Sequence, residues 1–114
     1  MKVIIAGSRD INDYELVEKA IMESGFHIDE VVSGTAKGID SLGEAWAKKN
    51  KIPIKQFPAN WDLHGKMAGY LRNKEMVEYA DALIAITRGS KGTRLTIDLA
   101  EKKGMQMFVK EIRR

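Results

Sequence analysis

Strand-like and helix-like segments alternate from one end of this chain to the other, and that alternation constrains the fold more than any other feature. Lys2-Val3-Ile4-Ile5-Ala6 is a short β-branched run that stops at Gly7. Residues 13–24 follow with Leu16, Val17, Ala20 and Ile21 at helical spacing. Asn12 is placed to cap that helix, with Glu15 three positions on and Ile11 able to pack on Leu16, and Gly25 ends it. A second strand is expected at 29–33. A second helix follows at 38–49, with Ile39, Leu42 and Trp46 on one stripe and Lys48, Lys49 and Asn50 suited to its last turn. Residues 52–57 read as a third strand, and Pro53 assigns it to an edge. After a loop through Trp61 come a helix at about 66–80, a strand at 82–87, a helix at about 93–103 and a strand at 105–110.

Strands alternating with helices over short connections imply a parallel sheet with helices on both faces, joined by right-handed crossovers. The expected fold is therefore a Rossmann-like three-layer α/β/α sandwich with a five-stranded parallel sheet, in one domain over residues 1–114. At 44% apolar and 31% charged residues, disorder and coiled coil are excluded as the main organisation. Apolar runs such as Val3–Ala6 and Ala82–Ile86 are too short to span a bilayer or to act as a signal peptide. Without cysteine there is no disulfide framework, thiolate nucleophile or Cys-based zinc site, and a cytoplasmic protein is the expectation.

Ligands of open parallel sheets bind beyond the carboxyl ends of the strands, near the point where strand order reverses. Three such ends share one chemistry. The first strand leaves into Gly7-Ser8-Arg9-Asp10, the second into Ser33-Gly34-Thr35-Ala36-Lys37-Gly38-Ile39-Asp40, and the fourth into Thr87-Arg88-Gly89-Ser90-Lys91-Gly92-Thr93-Arg94. Glycine lets backbone approach an oxyanion, free amides at a helix start point at it, hydroxyls add donors, and Lys or Arg adds charge. The combination points to a phosphate-bearing ligand. Neither GxxxxGK[ST] nor GxGxxG is present, which argues against an ordinary P-loop ATPase or dinucleotide dehydrogenase. A fourth segment, His64-Gly65-Lys66-Met67-Ala68-Gly69-Tyr70-Leu71-Arg72-Asn73-Lys74, brings Arg72 and Asn73 to the same edge by topology.

Other residues are less decisive. His27 and His64 have no second ligand at metal spacing, so no metal is expected. Ser8 and Ser33 lack a His–Asp relay. Trp61 either stacks on a base at the pocket mouth or anchors its loop. Trp46 reads as core or subunit contact, and the six methionines as core filling. The formal charge of +3 includes +2 from Lys110-Glu111-Ile112-Arg113-Arg114, three positive side chains against one negative. Hence only this tail, as a weak phosphate tether or as a solvated end, speaks for nucleic acid.

In their order and spacing, GSRD, SGTAKGID, PANW, GKMAGYLRNKEM and GSKGTRLTID resemble the YspA-type proteins of the SLOG superfamily (the DUF2493 domain) over about residues 3–109. That superfamily is related to the Smf/DprA proteins and the Lonely Guy phosphoribohydrolases, and many YspA-like members are phage or bacterial proteins. The resemblance implies a Rossmann-like domain that binds a nucleotide or nucleotide-derived ligand such as AMP, ADP-ribose or an NAD-like compound, with no cofactor required. It also implies a homodimer or higher homo-oligomer. Lonely Guy enzymes carry a helix-borne arginine and a PGGxGTxxE loop whose glutamate works on an N-glycosidic bond. Arg72 matches that arginine and Gly89-Ser90-Lys91-Gly92-Thr93 the loop, but the glutamate position holds Thr96, which cannot act as a carboxylate. Asp98 lies about 200° further round the helix.

The candidate binding residues are thus Gly7, Ser8, Arg9, Ser33, Gly34, Thr35, Lys37, Gly38, Arg72, Asn73, Gly89, Ser90, Lys91, Gly92 and Thr93. Arg72 and Asp40 are the candidate catalytic residues, although Asp40 reads rather as a local salt bridge and Asp10 as a cap of the first helix. Three functions remain open: N-glycosidic hydrolysis of a nucleotide, non-catalytic sensing or sequestering of a nucleotide signal, and DNA processing of the Smf/DprA type.

Overall fold

The computed structural model describes residues 1–112; Arg113 and Arg114 of the basic tail lie outside the described residues. Its strands are β1 (Lys2–Gly7), β2 (Glu30–Ser33), β3 (Ile54–Gln56), β4 (Ala82–Thr87) and β5 (Gln106–Glu111). Its helices are α1 (Tyr14–Ser24), α2 (Ile39–Lys49), α3 (Trp61–His64), α4 (Ala68–Tyr79) and α5 (Lys91–Lys103). All neighbouring strands pair in parallel, in the order β3-β2-β1-β4-β5. This is the five-stranded parallel sheet, with helices on both faces, that the alternation predicts.

Side chains of successive strand residues leave opposite faces of a sheet, and the core divides accordingly. Val3 and Ile5 of β1, with Val31, Ile84 and Ile86, meet Val17, Ala20 and Ile21 of α1 and Ile39 and Ala47 of α2. Ile4 and Ala6, with Val32, Leu83 and Ala85, meet Met76 and Val77 of α4 and Ile97 and Ala100 of α5. β1 and β4 lie at the centre and carry apolar residues on both faces, which is why they read as continuous runs. The edge position expected for the proline-bearing strand holds, but β3 is shorter than residues 52–57. Pro53 precedes the strand and contributes its carbonyl, which accepts from the Val31 amide at 2.9 Å. No helix among the described residues is long and apolar enough to cross a membrane.

Two local expectations are corrected. The cap of α1 is Asp13, not Asn12: the Asp13 carboxylate accepts from the Leu16 amide at 3.3 Å. A carboxylate in that position satisfies an orphan amide and also opposes the positive end of the helix dipole. Gly25 closes the helix as expected, at φ 70°. The stretch assigned to a loop through Trp61 and to the start of a helix at 66 contains α3 and a single 3-10 turn, Gly65–Met67. Asn60 starts α3 by accepting from the Leu63 amide at 3.1 Å.

The strand order reverses between β1 and β4. Their carboxyl ends are joined there by the Ser8 amide on the Ile86 carbonyl at 3.1 Å and by the Arg88 amide on Ser8 Oγ at 2.9 Å. Both links fix the floor on which the site is built.

Candidate functional site

A cleft of about 430 Å³ opens at this switch point, lined by Gly7, Ser8, Arg9 and Asp10 after β1, Ala36 and Asp40 around the start of α2, and Arg72, Asn73 and Met76 of α4. Ser90, Gly92, Thr93 and Thr96 at the start of α5 complete it. A second chamber of about 450 Å³ adjoins it, sharing Arg9, Ala36 and Arg72 and adding Gly34, Thr35, Lys37, Pro58, Ala59 and Trp61. Loops that are far apart in sequence meet here because every strand of a parallel sheet ends at the same edge.

Each loop is held by its own short-range bonds. Thr87 Oγ1 accepts from the Gly89 and Ser90 amides at 2.9 and 3.2 Å, which turns the chain sharply into α5. Ser90 stands at the N-cap position but does not cap; its hydroxyl bonds Thr93 Oγ1 at 2.7 Å instead. Gly38 likewise offers α2 no side-chain cap. First-turn amides have no intrahelical acceptor; at α2 the Ile39 amide reaches the Ser8 carbonyl at 3.4 Å, and both helix starts turn their positive dipole ends to one cleft.

On the β2 side, the Thr35 amide bonds Ser33 Oγ at 3.1 Å and Thr35 adopts φ 63°. Gly38 sits at φ 72°, where an added Cβ would lie 2.4 Å from the Ser8 carbonyl oxygen. That close approach ties the loop after β2 to the loop after β1.

Arg72 is half-buried between the chambers. Its Nη1 donates to the Gly34 carbonyl, and its Nε donates to Asn73 Oδ1 at 2.7 Å. Burial draws the guanidinium below its usual range, and the negative charge of Asp40 opposes that. Asp40 is only 6% exposed. The Ala36 amide donates to its Oδ2 at 3.2 Å, so the carboxylate closes the loop before α2 instead of making a local salt bridge. Burial pushes its pKa up; the Ala36 amide, Arg72 and the Gly7 amide offset this only in part.

A stability consequence follows from Asp40. In the unfolded chain its carboxyl ionises in the ordinary range, whereas in the fold it holds its proton to higher pH. Folding then takes up a proton in between, so this contribution falls as pH rises through that window and remains lower above it. Asp40→Asn keeps an oxygen for the Ala36 amide and removes the buried charge. It is expected to melt higher at pH 7 by about 5 °C, with an advantage that shrinks on acidification. A variant that melts lower than the parent at every pH would contradict this.

The profile of the YspA, cpYpsA-related SLOG family (YAcAr) matches residues 1–64, more than half of the chain. The chain belongs to that family. The Gene 61 protein of Mycobacterium phage D29 is 36% identical over 118 aligned positions, covering 94% of each chain. The X-ray structure of DNA processing protein A (DprA) from Streptococcus pneumoniae superposes with a TM-score of 0.78 at 21% identity. It covers 95% of this chain and 49% of that one, so this SLOG chain spans about half the length of DprA and shares its fold.

Of the residues expected at the SLOG site, Gly7, Ser8, Arg9, Arg72, Asn73, Ser90, Gly92 and Thr93 line the first chamber, and Gly34, Thr35 and Lys37 the second. Ser33, Gly38, Gly89 and Lys91 line neither. Ser33 is buried and donates to Glu44 Oε2 at 2.6 Å. Gly89 borders a separate depression with Arg88, Arg94 and Glu111, and Lys91 is exposed. Asp10 does not cap α1; it lies on the cleft wall, 3.5 Å from Arg88. Thr96 does face the cleft, with its hydroxyl donating to the Gly92 carbonyl at 3.2 Å. Asp98 is exposed and pairs with Arg94 at 3.3 Å. Ala6, Ala36 and Met76 complete the lining, although as sequence they resemble ordinary core and loop residues. Trp61 borders the second chamber at 55% exposed.

Proposed function

We propose that this SLOG chain binds a nucleotide or nucleotide-derived ligand, with phosphate and ribose in the first chamber and the base toward Trp61 in the second. One observation carries the reading: two helix starts without side-chain caps converge with Arg72 and Arg9 on a single cleft at the switch point of the sheet. Dipole ends, free amides and guanidinium groups in one concavity suit a phosphoryl oxyanion. The half-exposed indole beside them offers a stacking face. Together the chambers have the size of a small-molecule site.

Binding without turnover is favoured over N-glycosidic hydrolysis. The α5 residue that faces the cleft is Thr96, and its hydroxyl is engaged by the Gly92 carbonyl. Hydrolysis would fall to Asp40 with Arg72. DNA processing, suggested by the name of the DprA neighbour, rests on a tail whose Lys110 is paired with Glu23 at 2.9 Å.

A thermal-shift and mass-spectrometric screen against AMP, ADP-ribose, NAD, cyclic nucleotides and nucleoside monophosphates tests the reading. At least one of them should raise the melting temperature, by about 1.4 kcal/mol of stabilisation for each tenfold excess over Kd. Release of a free base would make the protein a glycosidase. Retention on DNA that falls steeply with salt, with no response to any nucleotide, would replace the proposal with the DNA reading.

A further inference from the structure

We propose that Asp40 is a specificity residue whose carboxylate accepts hydrogen bonds from a vicinal sugar diol, so that the cleft selects ribose-bearing over 2-deoxyribose-bearing phosphates. The inference rests on the nucleotide reading and adds to it the sugar that the site admits.

A buried carboxylate, Asp40, lies in a cleft otherwise arranged for an anion. The helix starts, Arg9 and Arg72 all offer donors there. Asn73 has its carbonyl oxygen occupied by Arg72 Nε. The other carboxylate of the wall, Asp10, is exposed and faces the Arg88 guanidinium. Asp40 is different: it is buried, lines the chamber, and takes the Ala36 amide on Oδ2. An ionised carboxylate can accept about four hydrogen bonds, so the Ala36 and Gly7 amides leave about half of that capacity for a ligand.

A phosphate cannot occupy the space beside it, because two anions in a partly dry cleft repel strongly. The complementary group is a neutral donor, and a cis diol presents two O–H donors at the spacing of one carboxylate. Gly34 shows how closely acceptor and cation are juxtaposed. A Cβ placed on residue 34 would lie 2.9 Å from Asp40 Oδ2 and 2.9 Å from Arg72 Nη1. The carboxylate and the guanidinium therefore flank one point of backbone, with no side chain between them. A nucleoside 5′-monophosphate, which carries a 2′,3′-hydroxyl pair and a phosphate on one sugar, matches that arrangement. The upward shift of the Asp40 pKa comes from burial and is only partly offset by the Ala36 amide, Arg72 and the Gly7 amide, which agrees with a carboxylate that has acceptor capacity left for a ligand.

The test compares AMP, GMP, CMP and UMP with their 2′-deoxy counterparts by calorimetry, on the full chain and on Asp40→Asn. The parent protein should favour the ribose member of the best-bound pair by at least about tenfold, the value of one hydrogen bond to a charged group. In Asp40→Asn that preference should fall to about threefold or less, while thermal unfolding shows the variant folded. A merely structural Asp40 would change both affinities together and leave their ratio alone. Equal affinities in the parent, or an unchanged ratio in the variant, overturn the assignment and leave nucleotide binding standing. If neither series binds, the assignment falls, and the nucleotide reading falls with it when ADP-ribose, NAD and the cyclic nucleotides also fail to bind.

Discussion

Gly7→Ala is expected to lower the melting temperature by at least about 10 °C, the largest stability loss of any single change at the site. Gly7 ends β1 in register with Ile86 of β4. A Cβ there would lie 2.0 Å from the Ile86 carbonyl oxygen and 2.6 Å from Ile39 Cγ1. The first of these is backbone inside the sheet, and the second is a buried branched side chain in the first turn of α2. Neither can swing aside as the end of a flexible side chain would. Relief requires β1 and β4 to part at their carboxyl ends, where the Ile86 carbonyl holds the Ser8 amide and Ser8 Oγ holds the Arg88 amide. Gly92→Ala is the matching control. No atom lies within 4 Å of a Cβ added at Gly92, which is in α5. Alanine is the better helix former by about 1 kcal/mol. Thermal unfolding of the two variants should therefore move in opposite directions. A Gly7→Ala protein that melts within about 2 °C of the parent would mean that the strand ends are not clamped as described.

The same contrast explains which parts of the molecule could be read from the chain. Ala82–Thr87 matches its expected bounds because a strand buried on both faces is an uninterrupted apolar run with turn residues at each end. The short helix at Trp61–His64 has too few residues to show a period, and its only signal is Asn60 at the cap. Asn12 and Asp13 are both good caps, and one residue of register decided between them. At the site, parallel topology made the loops legible: once strands and helices alternate, glycine-rich strand ends must share an edge. Which way a side chain points within a loop was not legible. Ser33 has the right chemistry for an anion but turns to Glu44, while Met76 and Thr96 have the wrong appearance yet form the cleft wall. Helix phase and sheet layer decide those directions, and neither can be read from a short motif.

Arg72→Ala is expected to weaken binding of whichever nucleotide the screen identifies by about 100-fold, and Arg72→Lys by about tenfold. Arg72 lines both chambers, so any ligand that spans them passes it. Its orientation is set before binding: Nη1 donates to the Gly34 carbonyl and Nε to Asn73 Oδ1, which leaves Nη2 for an oxyanion. Lysine retains the charge but has neither the fork nor those two anchors, and so it recovers only part of the affinity. The substitution also changes the unliganded protein. Arg72 holds the Asp40 pKa down against burial, and without it the carboxyl would rise further. The pH window over which Asp40 lowers stability would then widen upward, so Arg72→Ala should lose more stability between pH 5 and pH 8 than the parent does. Combining Arg72→Ala with Asp40→Asn should remove that added pH dependence without restoring binding. Undiminished affinity in Arg72→Ala would place the ligand elsewhere on the sheet edge. A single mutant whose stability profile runs parallel to that of the parent would show that the two charges do not communicate across Gly34.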